Sequence, residues 1–287
     1  MKHFYIVTNQ QKDKELKLTR KVQEYIIGLG GTCGYGLNSG AGADGYRNLM
    51  PEEIPDNTEC VLCIGGDGTL IRAARDLVET TIPVIGVNRG HTGYLCELDS
   101  DTVFGAIDQL MLDNYMVENR MLLSGYCIQN GERTTPGLAL NDIVIHRYGG
   151  LQVVNLIIYV NGQYLNTYSA DGVIIATPTG STAYNLSAGG PIVDPKAELM
   201  VITPISPHTL NSKSIVLGAE DEIVVEIGTR RMERDEEAEV SFDGDQSFRL
   251  GVGDRIVIRR AKLHIPILKL SKRSFLEILR KKMQECS

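Results

Sequence analysis

No stretch of this chain of 287 residues approaches the run of about 20 apolar residues that a membrane-spanning helix needs. No signal peptide precedes the first apolar run, so a cytoplasmic protein is expected. The five histidines, His3, His91, His146, His208 and His264, show no H-x-x-x-H or related spacing, which argues against a dedicated zinc or iron site. His264 lies in an apolar run and reads as a core residue. Cys60 and Cys63 form a C-x-x-C pair without a second pair, while Cys33, Cys96, Cys127 and Cys286 are scattered. The C-x-x-C pair reads as core thiols rather than a metal site, and the six together as reduced cysteines without a disulfide framework. Positive charge is also short: 29 Lys and Arg against 36 Asp and Glu leave a net charge of -7, which argues against a nucleic-acid partner. No G-x-x-x-x-G-K-[ST] occurs, so the chain is not a P-loop NTPase. Residues 40–45 satisfy G-x-G-x-x-G, but residues 30–39 read as a glycine-rich loop with no strand, and Pro51 interrupts the segment after them. A dinucleotide turn needs a strand before it and a helix after it.

What the chain does have is Gly65-Gly66-Asp67-Gly68-Thr69 between two recognisable elements. Val61, Leu62 and Ile64 are apolar without alternation, the pattern of a parallel strand buried on both faces. Leu70, Ala73, Ala74, Leu77 and Val78 then recur at helical spacing, and residues 84–87 supply a second strand after Pro83. The five residues are therefore the first turn of a βαβ crossover, at the carboxyl edge of a sheet, where a helix N-terminus favours an anion. A carboxylate placed there is unfavourable unless it has a task. Asp67 reads as a general base or as a group acting through a metal, against the competing reading of a simple helix cap.

A second constellation, residues 171–191, runs from an acidic residue through the strand Val173 to Ala176 into a Pro-Gly turn rich in hydroxyls. Thr177, Thr179, Ser181, Thr182, Tyr184 and Ser187 offer hydrogen-bonding groups and Tyr184 a flat ring, which suit a ribose and an adenine edge better than a lipid tail.

The first turn resembles the phosphate loop of NAD kinases, diacylglycerol and sphingosine kinases and, in a Ser variant, phosphofructokinases. The segment from Asp171-Gly172 through Thr182-Ala183-Tyr184-Asn185-Leu186-Ser187 to Pro191 resembles the hallmark of NAD kinases specifically. Asn141-Asp142 is similar to that family's Asn-Glu pair, residues 205–210 to its Pro-His-Thr-Leu segment, and residues 86–95 to its Gly-Ile-Asn-x-Gly-x-Leu-Gly-Phe-Leu. Two positions depart from the pattern: Asp142 is one methylene shorter than the usual Glu, and Thr92 stands where Leu is common.

The resemblance implies phosphoryl transfer from ATP, or another phosphate donor, to the 2'-hydroxyl of the adenosine ribose of NAD. It implies that Asp67 is the catalytic residue, that Gly65, Gly66, Gly68 and Thr69 meet phosphates, and that a divalent metal (Mg) arrives with ATP. Arg72, one helical turn on, would be a phosphate contact. Asn141 and Asp142 would hold the ribose or nicotinamide side of NAD. Thr182, Ala183, Tyr184, Asn185, Leu186 and Ser187 would hold the adenine and its ribose. Asp171 would meet the second nucleoside across an interface of a homodimer or homotetramer, and His208, Gln152, Ser169 and Gln246 occupy pocket-lining positions. No membrane partner is implied. Another kinase of the same superfamily, or a catalytically silent NAD(P)-binding sensor, remains the alternative.

The pattern along the chain divides it. Residues 1–116 alternate strand and helix, with a strand at residues 4–7 and a helix at about residues 13–29, and form an α/β domain carrying the phosphate loop. Residues 117–265 read as strand after strand, at 143–146, 153–160, 173–176, 223–227, 240–242 and 255–258, punctuated by Asn161-Gly162, Asp243-Gly244 and Gly253-Asp254. This is a β-rich domain, which the resemblance implies binds NAD, with the mixed charge run 230–237 as a solvated hairpin tip. Residues 266–287 hold a closing helix around Phe275, Leu276, Ile278 and Leu279, which the resemblance implies returns to the first domain, with the active site in the cleft between the two.

Overall fold

The computed structural model of the protein describes residues 1–37, 49–90, 93–149, 152–209, 212–229, 237–271 and 274–285. The glycine fingerprint at 40–45, the charge run through residue 236, His91, Thr92, Leu210 and Cys286 lie outside these residues. The chain forms two compact units, Met1–Asn119 with His264–Ser287, and Arg120–Leu263.

The first unit contains β1 (His3–Thr8), α1 (Lys17–Gly28), β2 (Thr32–Leu37), β3 (Cys60–Gly65), α2 (Asp67–Asp76), β4 (Val84–Asn88) and α3 (Val103–Met111). Its strands lie in the order β2-β1-β3-β4, all parallel. Every residue of β3 and β4 is buried, as their unalternating apolar runs require. Ile6, Leu62, Ile64 and Ile85 pack with Val22 and Ile26 of α1 and Ile107 and Leu110 of α3 to make the core.

Two expectations are corrected here. Residues 30–39 are not all loop, because Thr32–Leu37 is a strand paired along its length with β1. Its glycines are what hid it: a Cβ at Gly34 would meet the Tyr5 ring at 3.1 Å and one at Gly36 its hydroxyl at 2.6 Å, so a neighbouring aromatic takes the space that side chains would fill. The absence of a strand is therefore no argument against the fingerprint at 40–45. The first helix also begins later than residue 13, since the Asp13 carboxylate instead accepts the Leu18 and Thr19 amides at 3.0 and 2.9 Å, reaching over a short 3-10 turn.

The second unit is built of strands. After β5 (Met116–Gln129), which enters it, come β6 (Glu132–Arg133), β7 (Gly137–Ala139), β8 (Asp142–Arg147), β9 (Val154–Val160), β10 (Gln163–Ala170) and β11 (Gly172–Ala176). The short helix α4 (Tyr184–Ser187) precedes β12 (Leu199–Ile205), β13 (Ile215–Gly218), β14 (Ile223–Gly228), β15 (Ala238–Phe242), β16 (Gln246–Leu250) and β17 (Arg255–Lys269). One antiparallel sheet has the order β13-β12-β11-β8-β15-β16, and β10, β9, β14 and the start of β17 pair antiparallel in another. Residues of both, among them Ile145, Val173, Ile175, Leu156, Ile158 and Val225, share one apolar core. Asn161-Gly162 and Asp243-Gly244 close their hairpins with positive φ at both residues, 51° and 77°, then 51° and 71°.

β17 is longer than the expected 255–258. Arg259 and Arg260 break the apolar pattern but face outward, pairing with Glu222 and with Glu198 and Glu220. Ile267 at its far end pairs in parallel with Val84 of the first unit's sheet. His264 on this strand is exposed and is not a core residue, because the alternation turns Ile265 and Ile267 inward instead. The closing helix α5 (Phe275–Glu285) belongs to the first unit. The Glu97 carboxylate accepts the Leu270 and Ser271 amides at 3.2 and 2.6 Å before it begins, and Lys282 lies 5.6 Å from the Tyr94 ring centroid.

Candidate active site

The turn between β3 and α2 shows why each of its residues is there. Gly66 follows the strand in extended geometry and Asp67 opens the helix. The glycines serve different purposes. A Cβ on Gly65 would overlap the Thr69 hydroxyl, one on Gly66 would lie 2.6 Å from Lys12 Nζ, and one on Gly68 would meet open space. Only Gly68 is exposed; Gly65 and Gly66 are buried and Asp67 is half-buried.

Asp67 does not cap its own helix. Its carboxylate accepts the backbone amides of Tyr94 at 2.7 Å and Leu95 at 3.2 Å on one oxygen, and of Cys96 at 3.0 Å on the other. Glycine at 93 is what lets this turn close so near, because a Cβ there would overlap the carboxylate. The 94–96 turn comes after β4, whose last residue, Asn88, accepts the Gly90 amide at 3.0 Å, while Arg89 donates its amide to Gly65 at 2.7 Å. The carboxyl edges of β3 and β4 thus orient one carboxylate through main-chain groups, a more rigid arrangement than side-chain partners give. Arg72 lies half-buried on α2. A cavity of about 690 Å³ lies in this unit between residues 93–109 and the terminal segment, and Tyr94 and Cys96 line it.

In the second unit, Asn141, Asp142, Ala183 and Tyr184 line one cavity of about 340 Å³ together with His146, Ser241 and Asp243. Tyr184 is 46% exposed there, whereas Asp142 is only 5% exposed. Burial pushes the Asp142 carboxyl up to about 7, and the neighbouring Asp243 carboxylate adds to the rise. Asp243 is held in turn by the amides of Leu140 at 2.8 Å, Asn141 at 2.8 Å and Asp142 at 3.2 Å. The Asp243-Gly244 turn thereby fixes the backbone of the Asn-Asp pair. In the sequence Asp243 reads only as a hairpin residue; nothing in its local pattern says that it bonds a segment a hundred residues upstream.

The hydroxyl-rich turn is more inward-looking than its composition suggests. Thr177, Thr179 and Ser181 are buried. Thr177 Oγ1 donates to Leu140 O at 2.5 Å, and Ser181 Oγ donates to Pro178 O at 2.7 Å and accepts the Val193 amide at 3.0 Å. Thr182 Oγ1 donates to Thr179 O at 3.2 Å. Asn185 is wholly buried: Nδ2 donates to Ser181 O and Pro191 O, both at 3.0 Å, and Oδ1 accepts from Thr203 Oγ1 at 2.7 Å. Its polar atoms are committed to the fold, and the Thr177 and Ser181 hydroxyls brace the turn. Tyr184, Leu186 and Ser187 are exposed, with Ala183 half-buried.

The remaining candidates are not among the described residues that line the cavity beside Asn141 and Tyr184. Asp171 is half-buried and ion-paired with Arg147 at 2.7 Å. Ser169 Oγ donates to Asn155 Oδ1 at 2.5 Å, its carbonyl accepts the His208 amide at 2.9 Å, and Gln152 is exposed. Gln246 opens β16, and its side chain lies outside the described residues. The C-x-x-C thiols, Cys60 and Cys63, are buried in β3, and burial pushes Cys63 up to about 12. Among the described residues no group of three His, Cys, Asp or Glu side chains is arranged to hold a metal ion, and no helix is long and apolar enough to cross a membrane.

Comparison with known proteins places these features in a lineage. Residues 4–115 match the family model described as the ATP-NAD kinase N-terminal domain, and residues 140–270 the ATP-NAD kinase C-terminal domain. The NAD kinase of Agathobacter rectalis is 54% identical over 283 residues, covering 99% of each chain. That of Lachnospira eligens is 44% identical, covering 99% of this chain and all of the other. Among solved structures, an NAD kinase from Archaeoglobus fulgidus in complex with ATP superposes with a TM-score of 0.76 at 25% identity, over 97% of this chain and 98% of the other. Yeast NADH kinase complexed with NADH shares the fold, with a TM-score of 0.82 at 22% identity, over 99% and 88% of the two chains.

Proposed function

The chain belongs to the NAD kinase family, and from that premise we propose that it transfers the terminal phosphoryl group of ATP, or of another phosphate donor, to the 2'-hydroxyl of the adenosine ribose of NAD, giving NADP. The observation that carries the chemistry is Asp67: a carboxylate at the carboxyl edge of a parallel sheet that leaves its own helix uncapped and is aimed by three main-chain amides.

In phosphoryl transfer the protein chiefly positions groups and stabilises charge. Asp67 takes the proton of the attacking hydroxyl or orients that hydroxyl, exchanging one hydrogen bond from a backbone amide as the acceptor arrives. The exposed Gly68 and the first amides of α2 meet donor phosphate. Tyr184 supplies a half-exposed ring for the adenine. Asn141 and Asp142, braced by Asp243, hold the ribose or nicotinamide side, and the raised Asp142 carboxyl can donate a hydrogen bond below neutral pH. Asp142 keeps the acid function of the family's usual Glu at shorter reach. Magnesium enters with ATP as part of the substrate and would neutralise charge on the phosphate oxygens. The enzyme works in the cytoplasm as a homodimer or homotetramer, a state that light scattering reads directly.

The test of acceptor class is a panel of NAD, a diacylglycerol and a sugar phosphate, each with ATP and Mg²⁺, monitored by ADP release. Phosphorylation of NAD alone is expected. Turnover of a lipid or sugar phosphate in preference to NAD would move the chain's activity elsewhere in the superfamily, and NAD binding without ADP release would make it a sensor.

A further inference from the structure

We propose that Lys12 is the phosphate-contacting cation of this site, an assignment that rests on the kinase reading above. The phosphate loop itself carries no positive side chain; its one charged residue is the carboxylate of Asp67. A donor triphosphate brought beside that carboxylate adds like charge, so a cation at the loop is needed to offset it. The sequence places Lys12 more than fifty residues upstream, in the turn between β1 and α1, where nothing in the local pattern marks it. The fold brings that turn to the same sheet edge. Asn9, just past β1, donates its amide to Ile64 O of β3 at 2.9 Å. The Asn9 carbonyl then accepts the Lys12 and Asp13 amides at 3.0 and 2.9 Å, and its side-chain oxygen accepts the Gln11 amide at 3.0 Å.

This tight turn delivers the Lys12 ammonium over Gly66, close enough that a Cβ on Gly66 would stand 2.6 Å from Nζ. The ammonium thus stands directly over the backbone that the loop offers to a phosphate. Lys12 also acts electrostatically on Cys96, the residue whose amide holds Asp67. No hydrogen-bond or ion-pair partner of Nζ is present among the described residues, so the ammonium keeps its donors for a ligand. The neighbouring cation Arg89 is differently placed: its Nη1 donates to Ser100 Oγ at 2.7 Å, and its charge is set against the carboxylate of Asp13. A flexible, compact ammonium with three donors suits phosphate oxygens that move as the bond to the donor breaks and the bond to the acceptor forms.

The test compares wild type with Lys12→Met and Lys12→Arg, measuring kcat and KM for ATP and for NAD, and binding of ATP by calorimetry. Lys12→Met is expected to lose roughly 10²-fold in kcat/KM for ATP, the loss typical of removing one group that stabilises transferring phosphate, with KM for NAD changed less than about twofold. Lys12→Arg restores a large part of it. Unchanged ATP kinetics in Lys12→Met, or equal losses toward both substrates with a lowered melting temperature, would overturn the assignment while leaving the kinase reading intact. Should wild type make no NADP, weaker ATP binding by Lys12→Met would still sustain the assignment, and equal binding would end it.

Discussion

Replacing Asp142 with Asn is expected to stabilise the protein, and by an amount that grows with pH. Asp142 is 5% exposed and its carboxyl is pushed from an ordinary value of 3.8 up to about 7, by burial first and by Asp243 second. The folded chain therefore binds this proton more tightly than the unfolded chain. The stability so gained is fully present below 3.8 and is lost as pH rises through the interval up to about 7. Each unit of difference is worth about 1.4 kcal/mol, so the whole interval amounts to about 4 kcal/mol and the part between pH 5 and pH 8 to about 3 kcal/mol. Asn is nearly isosteric and carries no charge, so the variant lacks this dependence, and titrating groups other than the coupled Asp243 cancel in the comparison. Urea unfolding of both proteins at pH 5, 6, 7 and 8 reads the difference, which should widen by about 3 kcal/mol toward alkaline pH. Parallel stability profiles would refute the reasoning and show that Asp142 is ionised in the fold without cost.

Single contacts lead to three further expectations. Gly93→Ala places a methyl group on the Asp67 carboxylate and should lower turnover by roughly 10²-fold or more through misplacement of that group, with the melting temperature as control; wild-type turnover would show that the 94–96 turn does not orient Asp67. Asn185→Ala removes three buried hydrogen bonds and should cost about 2–4 kcal/mol in chemical denaturation, while the KM for NAD of the folded fraction stays near that of wild type. A KM effect without loss of stability would make Asn185 a ligand contact. Tyr184→Ala should raise the KM for NAD far more than that for ATP, and equal changes would count against stacking on the NAD side.

The crossover around the phosphate loop was legible because a parallel strand buried on both faces writes an unbroken apolar run, and a helix packed on it writes a 3.6-residue period. The hairpin turns were legible because Asn161-Gly162 and Asp243-Gly244 need positive φ at both residues. What was not legible depends on contacts distant in sequence. Gly34 and Gly36 look like loop until Tyr5 is seen to lie over them. The continuation of β17 is masked by arginines whose partners come from other strands, and His264 is turned outward by an alternation that only the full strand establishes. For the candidate site, residue type and setting pointed to Asp67 and Tyr184, while Asn141 and Asp142 came from the resemblance alone. The buried roles of Thr177, Ser181 and Asn185 were hidden because a hydroxyl or amide that braces a turn has the same local sequence as one that faces a ligand. Lys12 and Asp243 belong to the same class, brought to their places by sheet pairing alone.

The most direct measurement is NADP formation by the purified protein given NAD, ATP and Mg²⁺, read with an NADP-specific dehydrogenase, beside Asp67→Asn. Steady NADP production by wild type is expected, with turnover of the folded variant lower by roughly 10²- to 10⁴-fold. Equal turnover by the two proteins would remove Asp67 from the chemistry, and no NADP from folded wild type that binds both substrates would contradict the kinase assignment itself.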